Sequence, residues 1–219
     1  MTLASVPDMA LAVAHGHAIF LDCALDRYFA LSPTENDALL RLLAGEPISD
    51  RARRALTAAT GIEANTQNFR ALMAPRSRRP LVERRVPDDP SGWTVRLSAI
   101  YHLVAARLAI GLGGFRAALL QLARIEAMPA RSSTAMAECR DRIVCAHDWL
   151  SGHATAHDAC LLRSLALARH LRSAACAAQL VIAVRAEPFS AHCWVQSDDR
   201  LLNEEIDHAA SFEPILVVQ

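Results

Sequence analysis

The sequence predicts an α+β protein: a small winged-helix-like N-terminal module, then a larger domain of helices followed by an antiparallel sheet. Three observations carry that prediction. Short apolar runs and capped helices fill the first 75 residues, a proline- and arginine-rich stretch covers 76–92, and residues 93–219 change from helical to alternating periodicity after Cys176.

In the first unit, Ala10–His15, His17–Asp22 and Tyr28–Leu31 are apolar runs separated by turn-forming residues, as expected of a strand meander. Ser32-Pro33-Thr34-Glu35 starts a helix, with a serine cap, proline at the first helical position and glutamate at the third. Leu39, Leu40, Leu42 and Leu43 give it an apolar face and Gly45 ends it. Further helices are expected over Ser49–Thr60, stopped by Gly61, and over Ala64–Met73. The segment 76–92, with PRSRRP and RRVPDDPSG around it, reads as a linker, because proline and charge at that density break helices and resist burial.

The second unit opens helically. Leu97, Ile100, Tyr101, Val104, Leu108 and Leu112 recur at i, i+3, i+4 spacing, which predicts the inward face of a buried helix. Helical periodicity continues over Ala117–Ala127, Thr134–Leu150 and Ala159–Ser173. Gln179–Arg185, His192–Ser197, Arg200–Asn203 and Ile215–Val218 then read as strands, with Asp198-Asp199 as a hairpin turn.

Composition narrows the function classes. Twenty-three basic residues, all arginine, balance 23 acidic ones, so no net charge draws the chain to nucleic acid or an anionic membrane. His102 and Arg107 interrupt the longest apolar stretch, and no basic residue precedes an apolar run at the N-terminus; a cytoplasmic location with no membrane span is expected. The six cysteines contain no CxxC pair, so most should be small buried hydrophobes.

One cysteine is placed for chemistry. Cys160 stands at a helix start, where unpaired N–H groups and the helix dipole should lower a thiol pKa and can also stabilise an oxyanion. Ser164 and Leu167, on the same side, should face the sheet. His192 opens a later strand and is the natural base, and the Asp198-Asp199 turn should fold Glu204 back beside it to orient the imidazole. A thiol at a helix tip against a strand is the papain/transglutaminase-like arrangement. Cys193 should point away from His192, and Trp194 should pack beneath the site. Cys145, His147, His153, His157 and Cys160 are dense enough to test as zinc ligands, but their spacing is unusual and Ser151-Gly152 should break the helix between them. No metal or cofactor is therefore expected.

Several motifs in order, Cys160-Leu161-Leu162-Arg163-Ser164-Leu165, Leu180–Val184, Pro188-Phe189-Ser190-Ala191-His192-Cys193-Trp194-Val195 and Leu202-Asn203, resemble the lasso-peptide biosynthesis B proteins of the transglutaminase-like superfamily. The stretch HAIFLDCALDRYFALSPTENDALLRLL is similar to that family's leader-recognition domain, which is like the small PQQ-biosynthesis chaperone fold. The resemblance implies a cysteine peptidase that removes the leader of a lasso precursor peptide and works beside an asparagine-synthetase-like cyclase. It carries the nucleophile to Cys160 and the base to His192. The family has aspartate where this chain has Glu204, which leaves Asp207 as an alternative carboxylate. Tyr28, Phe29 and Leu31, on the expected edge strand, would contact the leader. The competing readings are a non-catalytic partner that presents precursor to the cyclase and an acyltransferase of true transglutaminase type.

Overall fold

The N-terminal strands form where the sequence alternates, and both of their faces are used. The computed structural model describes residues 6–75, 82, 91–125, 134–153 and 160–219. Strands β1 (Met9–Ala14), β2 (His17–Asp22) and β3 (Arg27–Ala30) make an antiparallel meander in that order, so β3 is an edge. His15 and Gly16, both at positive φ, form the two-residue turn between β1 and β2. Leu11 and Phe20 face helices α1 (Pro33–Leu43), α2 (Asp50–Thr60) and α3 (Thr66–Ala71), in a core with Leu39, Leu56 and Phe69. Phe20 stacks on Phe29 at 5.0 Å and meets the edge of Phe69 at 6.3 Å. The expected cap on α1 is a complete capping box: the Glu35 N–H donates to Ser32 Oγ, and the Ser32 N–H donates back to the Glu35 carboxylate at 3.1 Å. Such a cap contributes about 1 kcal/mol.

The opposite face of the same sheet enters the core of the second unit. Ala10, Ala12, Ala14, Ile19 and Leu21 cluster with Leu119, Leu122, Leu180 and Val218, and β1 lies against the last strand of the chain. Of the expected linker only Val82, Ser91 and Gly92 are among the described residues; Val82 exchanges backbone hydrogen bonds with Asp199 and Leu201.

Helix α4 (Trp93–Arg124) is kinked at Gly114, whose φ of 75° and ψ of 177° suit glycine alone. Helices α5 (Thr134–His153) and α6 (Cys160–Ser173) follow, and α5 runs through Ser151-Gly152 rather than breaking there. The helical reading of Ala117–Ala127 holds as far as Arg124; 126 and 127 lie outside the described residues. The orientation of α4 is the main departure from expectation. Ala99, His102, Ala106 and Ala109 are buried, whereas Leu97, Ile100, Tyr101, Val104, Leu108 and Leu112 face solvent. Alanines let α4 approach α6 closely, so the small residues of the period were chosen for the interior and the large ones excluded.

Strands β4 (Gln179–Arg185), β5 (Ser190–Ser197), β6 (Arg200–Leu201) and β7 (Glu213–Val218) form an antiparallel sheet in the order β6-β5-β4-β7. A short helix, α7 (Ile206–Ala210), which the periodicity did not suggest, precedes β7. Alternation divides the sheet. Leu180, Ile182, Cys193 and Val195 pack towards α6, while Val181, Ala183 and Trp194 pack with Ala209 and Phe212 on the α7 side. Arg172 ties the layers together: its buried guanidinium donates to the carbonyls of Ala178 (2.9 Å), Leu122 (2.9 Å) and Val218 (2.7 Å). Helices packed on an antiparallel sheet confirm the α+β class.

Candidate active site

Cys160 is the first residue of α6, as its position before the Leu161, Leu165, Ala168 pattern requires. The helix is fixed against β5 by Ser164, whose hydroxyl donates to the Cys193 carbonyl at 2.9 Å and accepts from the Asn203 amide at 3.0 Å. Asn203 in turn accepts from the Val195 N–H at 2.7 Å. These bonds exist because β6 pairs only with Gln196 and Ser197; beyond it the Val195 carbonyl accepts from the Leu202 N–H at 3.0 Å, which leaves the Val195 N–H and the Cys193 carbonyl of the β5 edge to side chains. Side chains from α6 and from the segment after β6 fill that edge.

The thiol reaches the same open edge. Burial pushes the Cys160 pKa up, and the backbone N–H groups of Leu161, Cys193 and Cys160 itself pull it back only in part. The negative charge of Glu204 raises it further. The helix-start amides thus act in the expected direction, but the net shift is the reverse of the expectation because desolvation outweighs them.

His192 lies on the α7 face of β5, its ring 5.3 Å from Phe212, 4.7 Å from His208 and 6.2 Å from buried Trp194. Its Nε2 is bonded to Glu204, and the two side chains are 18% and 13% exposed, dry enough for the pair to matter. Glu204 also accepts from the Glu205 N–H at 3.0 Å and contacts His208 Nδ1 at 3.1 Å. Burial alone would raise the Glu204 pKa; the hydrogen bond from His192, then those from the Glu205 amide and His208, reverse this and hold the carboxyl below its ordinary value.

The residues singled out from the sequence therefore separate into those brought together and those not. Glu204 joins His192, and its charge acts on Cys160, which touches the amide of the residue after His192. Asp207 instead lies exposed in the first turn of α7. Cys193 packs towards α6, away from the His192 ring. His208 was missed; its signal was the i+4 spacing from Glu204, hidden because the intervening turn of helix is too short to show a period.

Tyr28 packs against the core that contains Cys160 and Cys193, whereas Phe29 and Leu31 pack against the α1–α3 core. Burial raises the Tyr28 phenol pKa, and the thiols of Cys193 and Cys160 are among the groups acting on it. A groove of about 270 Å³ runs beside the β3 edge, lined by His17, Ile19, Tyr28, Phe29, Ala186 and Phe189 among others. It joins the edge strand of the first sheet to the β4–β5 turn.

Among the described residues, the earlier cysteines and histidines proposed as zinc ligands do not cluster. His147 turns into the helical core to meet His170 at 3.2 Å, Cys145 is buried, and the His153 side chain and His157 lie outside the described residues. His192, Glu204 and His208 present donor atoms within 4.8 Å of one another, a spacing a divalent ion can exploit, although the carboxylate already engages both imidazoles.

Among known families, the profile described as the transglutaminase-like superfamily aligns with residues 100–217. No curated protein and no solved structure matches.

Proposed function

The chain belongs to the transglutaminase-like superfamily, and from that premise we propose that it is a cysteine peptidase removing the leader of a lasso-peptide precursor. The observation that carries the reading is the convergence at the open β5 edge: Cys160 at a helix start, within range of the charge on Glu204, which holds His192.

With Nε2 of His192 engaged by Glu204, Nδ1 is the nitrogen that takes the thiol proton. The raised thiol pKa makes this transfer necessary, since the resting sulfur is protonated. The thiolate then attacks the carbonyl carbon of the scissile peptide, and backbone N–H groups at the α6 start receive the oxyanion. Collapse breaks the C–N bond, the imidazolium gives its proton to the leaving amine, and a thioester remains. Water, deprotonated by the same imidazole, hydrolyses it and returns the thiol.

The N-terminal sheet and its helices supply the leader-recognition module in this reading, a winged-helix-like unit of the PQQ-chaperone kind. The leader adds as a strand along β3, with Tyr28, Phe29 and Leu31 beside it and the groove between Tyr28 and Phe189 alongside. Tethering the leader raises the local concentration of the scissile bond, so the cleft itself need bind only weakly. The product amine passes to an asparagine-synthetase-like cyclase, and both work in the cytoplasm.

A second reading is a non-catalytic presenting partner, favoured by the upward shift of the Cys160 pKa. Precursor peptide incubated with wild type and Cys160→Ala separates them by mass spectrometry. The peptidase reading expects leader loss with wild type only; equal cleavage by both proteins defeats it. An added primary amine should leave the product a free acid, because an amide product would mean acyl transfer instead.

A further inference from the structure

The largest unexplained feature is the solvent face of α4. Trp93, Leu97, Ile100, Tyr101, Val104, Leu108 and Leu112 are between 36% and 87% exposed and lie along one side of the helix. Applied to ordinary side-chain areas, those exposures leave roughly 900 Å² of apolar surface, beyond the few hundred Å² that a soluble monomer usually shows. The same helix has the length and apolarity to cross a membrane, but its opposite face, Ala99, His102, Ala106 and Ala109, is packed into the protein. Lipid cannot surround it.

We infer that this face is the contact between two copies of the chain, paired antiparallel along α4. Three features favour a second copy. The positions Trp93, Leu97, Ile100, Val104 and Leu108 are spaced by steps of three or four residues, which keeps them on one face of the helix as a helix–helix seam requires. The stripe is also complementary to itself about a midpoint near His102. A two-fold axis there sets Trp93, the bulkiest residue, opposite Gly111 of the other copy, and Ile100 opposite Val104. Gly111 is exposed, and a Cβ added to it would meet nothing within 4 Å of its own chain, so the protomer itself does not require glycine there. A close-approaching partner does. Finally, two such faces together reach about 1,600 Å² or more, the size of a specific stable interface.

Charge agrees with this choice. Between Trp93 and Arg124 there is no acidic residue, and Arg96 is drawn over the Trp149 ring at 4.9 Å, which leaves Arg107 as the exposed arginine beside the stripe. One arginine is a thin basic rim for a helix lying on an anionic bilayer. A seam between identical helices tolerates it at its margin.

Sedimentation velocity of the full-length protein at tens of micromolar tests the proposal without reference to activity. Wild type should run as a dimer and Val104→Glu as a monomer, with unchanged circular dichroism because the position is exposed. Gly111→Leu is the sharper variant. It should raise the melting temperature of the monomer, leucine being the better helix former, yet weaken the dimer at least tenfold. A monomeric wild type overturns the proposal, as does a dimer that survives both substitutions. Flotation of wild type with anionic vesicles, lost in Val104→Glu, would assign the face to lipid instead.

Discussion

Two groups of histidines lie on opposite sides of the C-terminal sheet, and burial has opposite consequences for them. On the helical side, His102, His147 and His170 come from α4, α5 and α6. His102 stacks on His170 at 4.5 Å, His147 meets His170 at 3.2 Å, Ser98 contacts His170 at 3.0 Å, and Ser173 contacts His102 at 3.3 Å. No carboxylate is among these partners. Burial therefore drives His147 down to about 3 and His170 down to about 4, assisted by the neighbouring imidazoles, and lowers His102 as well. On the other side, His192 is also shielded, but it holds a carboxylate whose own pKa is depressed by the contact. The same side chain is packed among other imidazoles in one place and hydrogen-bonded to a carboxylate in the other. The partner decides, not the burial.

Exchanging the roles gives the largest expected effect. His192→Ala should lower kcat/KM for precursor cleavage on the order of a thousandfold or more, with little change in melting temperature. His170→Ala should do the reverse, leaving cleavage near wild type while the protein melts earlier. Comparable losses of activity in both variants would erase the distinction between the two groups. Glu204→Gln comes next: it keeps the shape but removes the charge, and should slow cleavage on the order of a hundredfold. Asp207→Asn, at an exposed position, should stay within about twofold. Steady-state kinetics on the pair checks the assignment of the carboxylate; equal rates for Glu204→Gln and wild type would remove it.

How far the sequence led can be judged from these residues. His192 and Glu204 were legible because a hairpin has a rigid period and the Asp198-Asp199 turn fixes which residues fold back beside one another. Cys160 was legible as a helix start. The direction of its pKa shift was not, since desolvation depends on packing that only the assembled core provides. The burial of α4 was read backwards. Periodicity locates a stripe but says nothing about which side of the helix meets a neighbour, and alanines opposite a leucine stripe make either side possible. Arg172 carried no signal at all, because its carbonyl partners come from three separate parts of the chain.

The helical histidines also give a pH prediction. Each is depressed in the fold below the ordinary histidine value of 6.5, so the stability it contributes is complete above that pH. As pH falls below 6.5 the unfolded chain takes up protons that the fold refuses, and stability drops until the folded values, about 4 and about 3, are passed. The slope is about 1.4 kcal/mol per pH unit for each histidine. Urea titrations between those limits should show it, and His147→Leu should flatten it. A stability independent of pH across that window would mean that the trio is hydrated or otherwise able to hold a proton.

His208 sharpens the comparison with the smallest effect. It touches the second oxygen of Glu204, but at 50% side-chain exposure its contact competes with water, whereas the His192 contact does not. His208→Gln should therefore lower kcat/KM by only about threefold. The loss should appear mainly on the acid side of the pH–rate profile, where removing one hydrogen bond to the carboxylate lets its pKa rise and protonation spoil the pair sooner. Rescue at higher pH would mark His208 as a positioning residue. A loss that is uniform across pH would mean instead that His208 supports α7 through packing against Phe212, 5.3 Å away, and has no share in tuning Glu204.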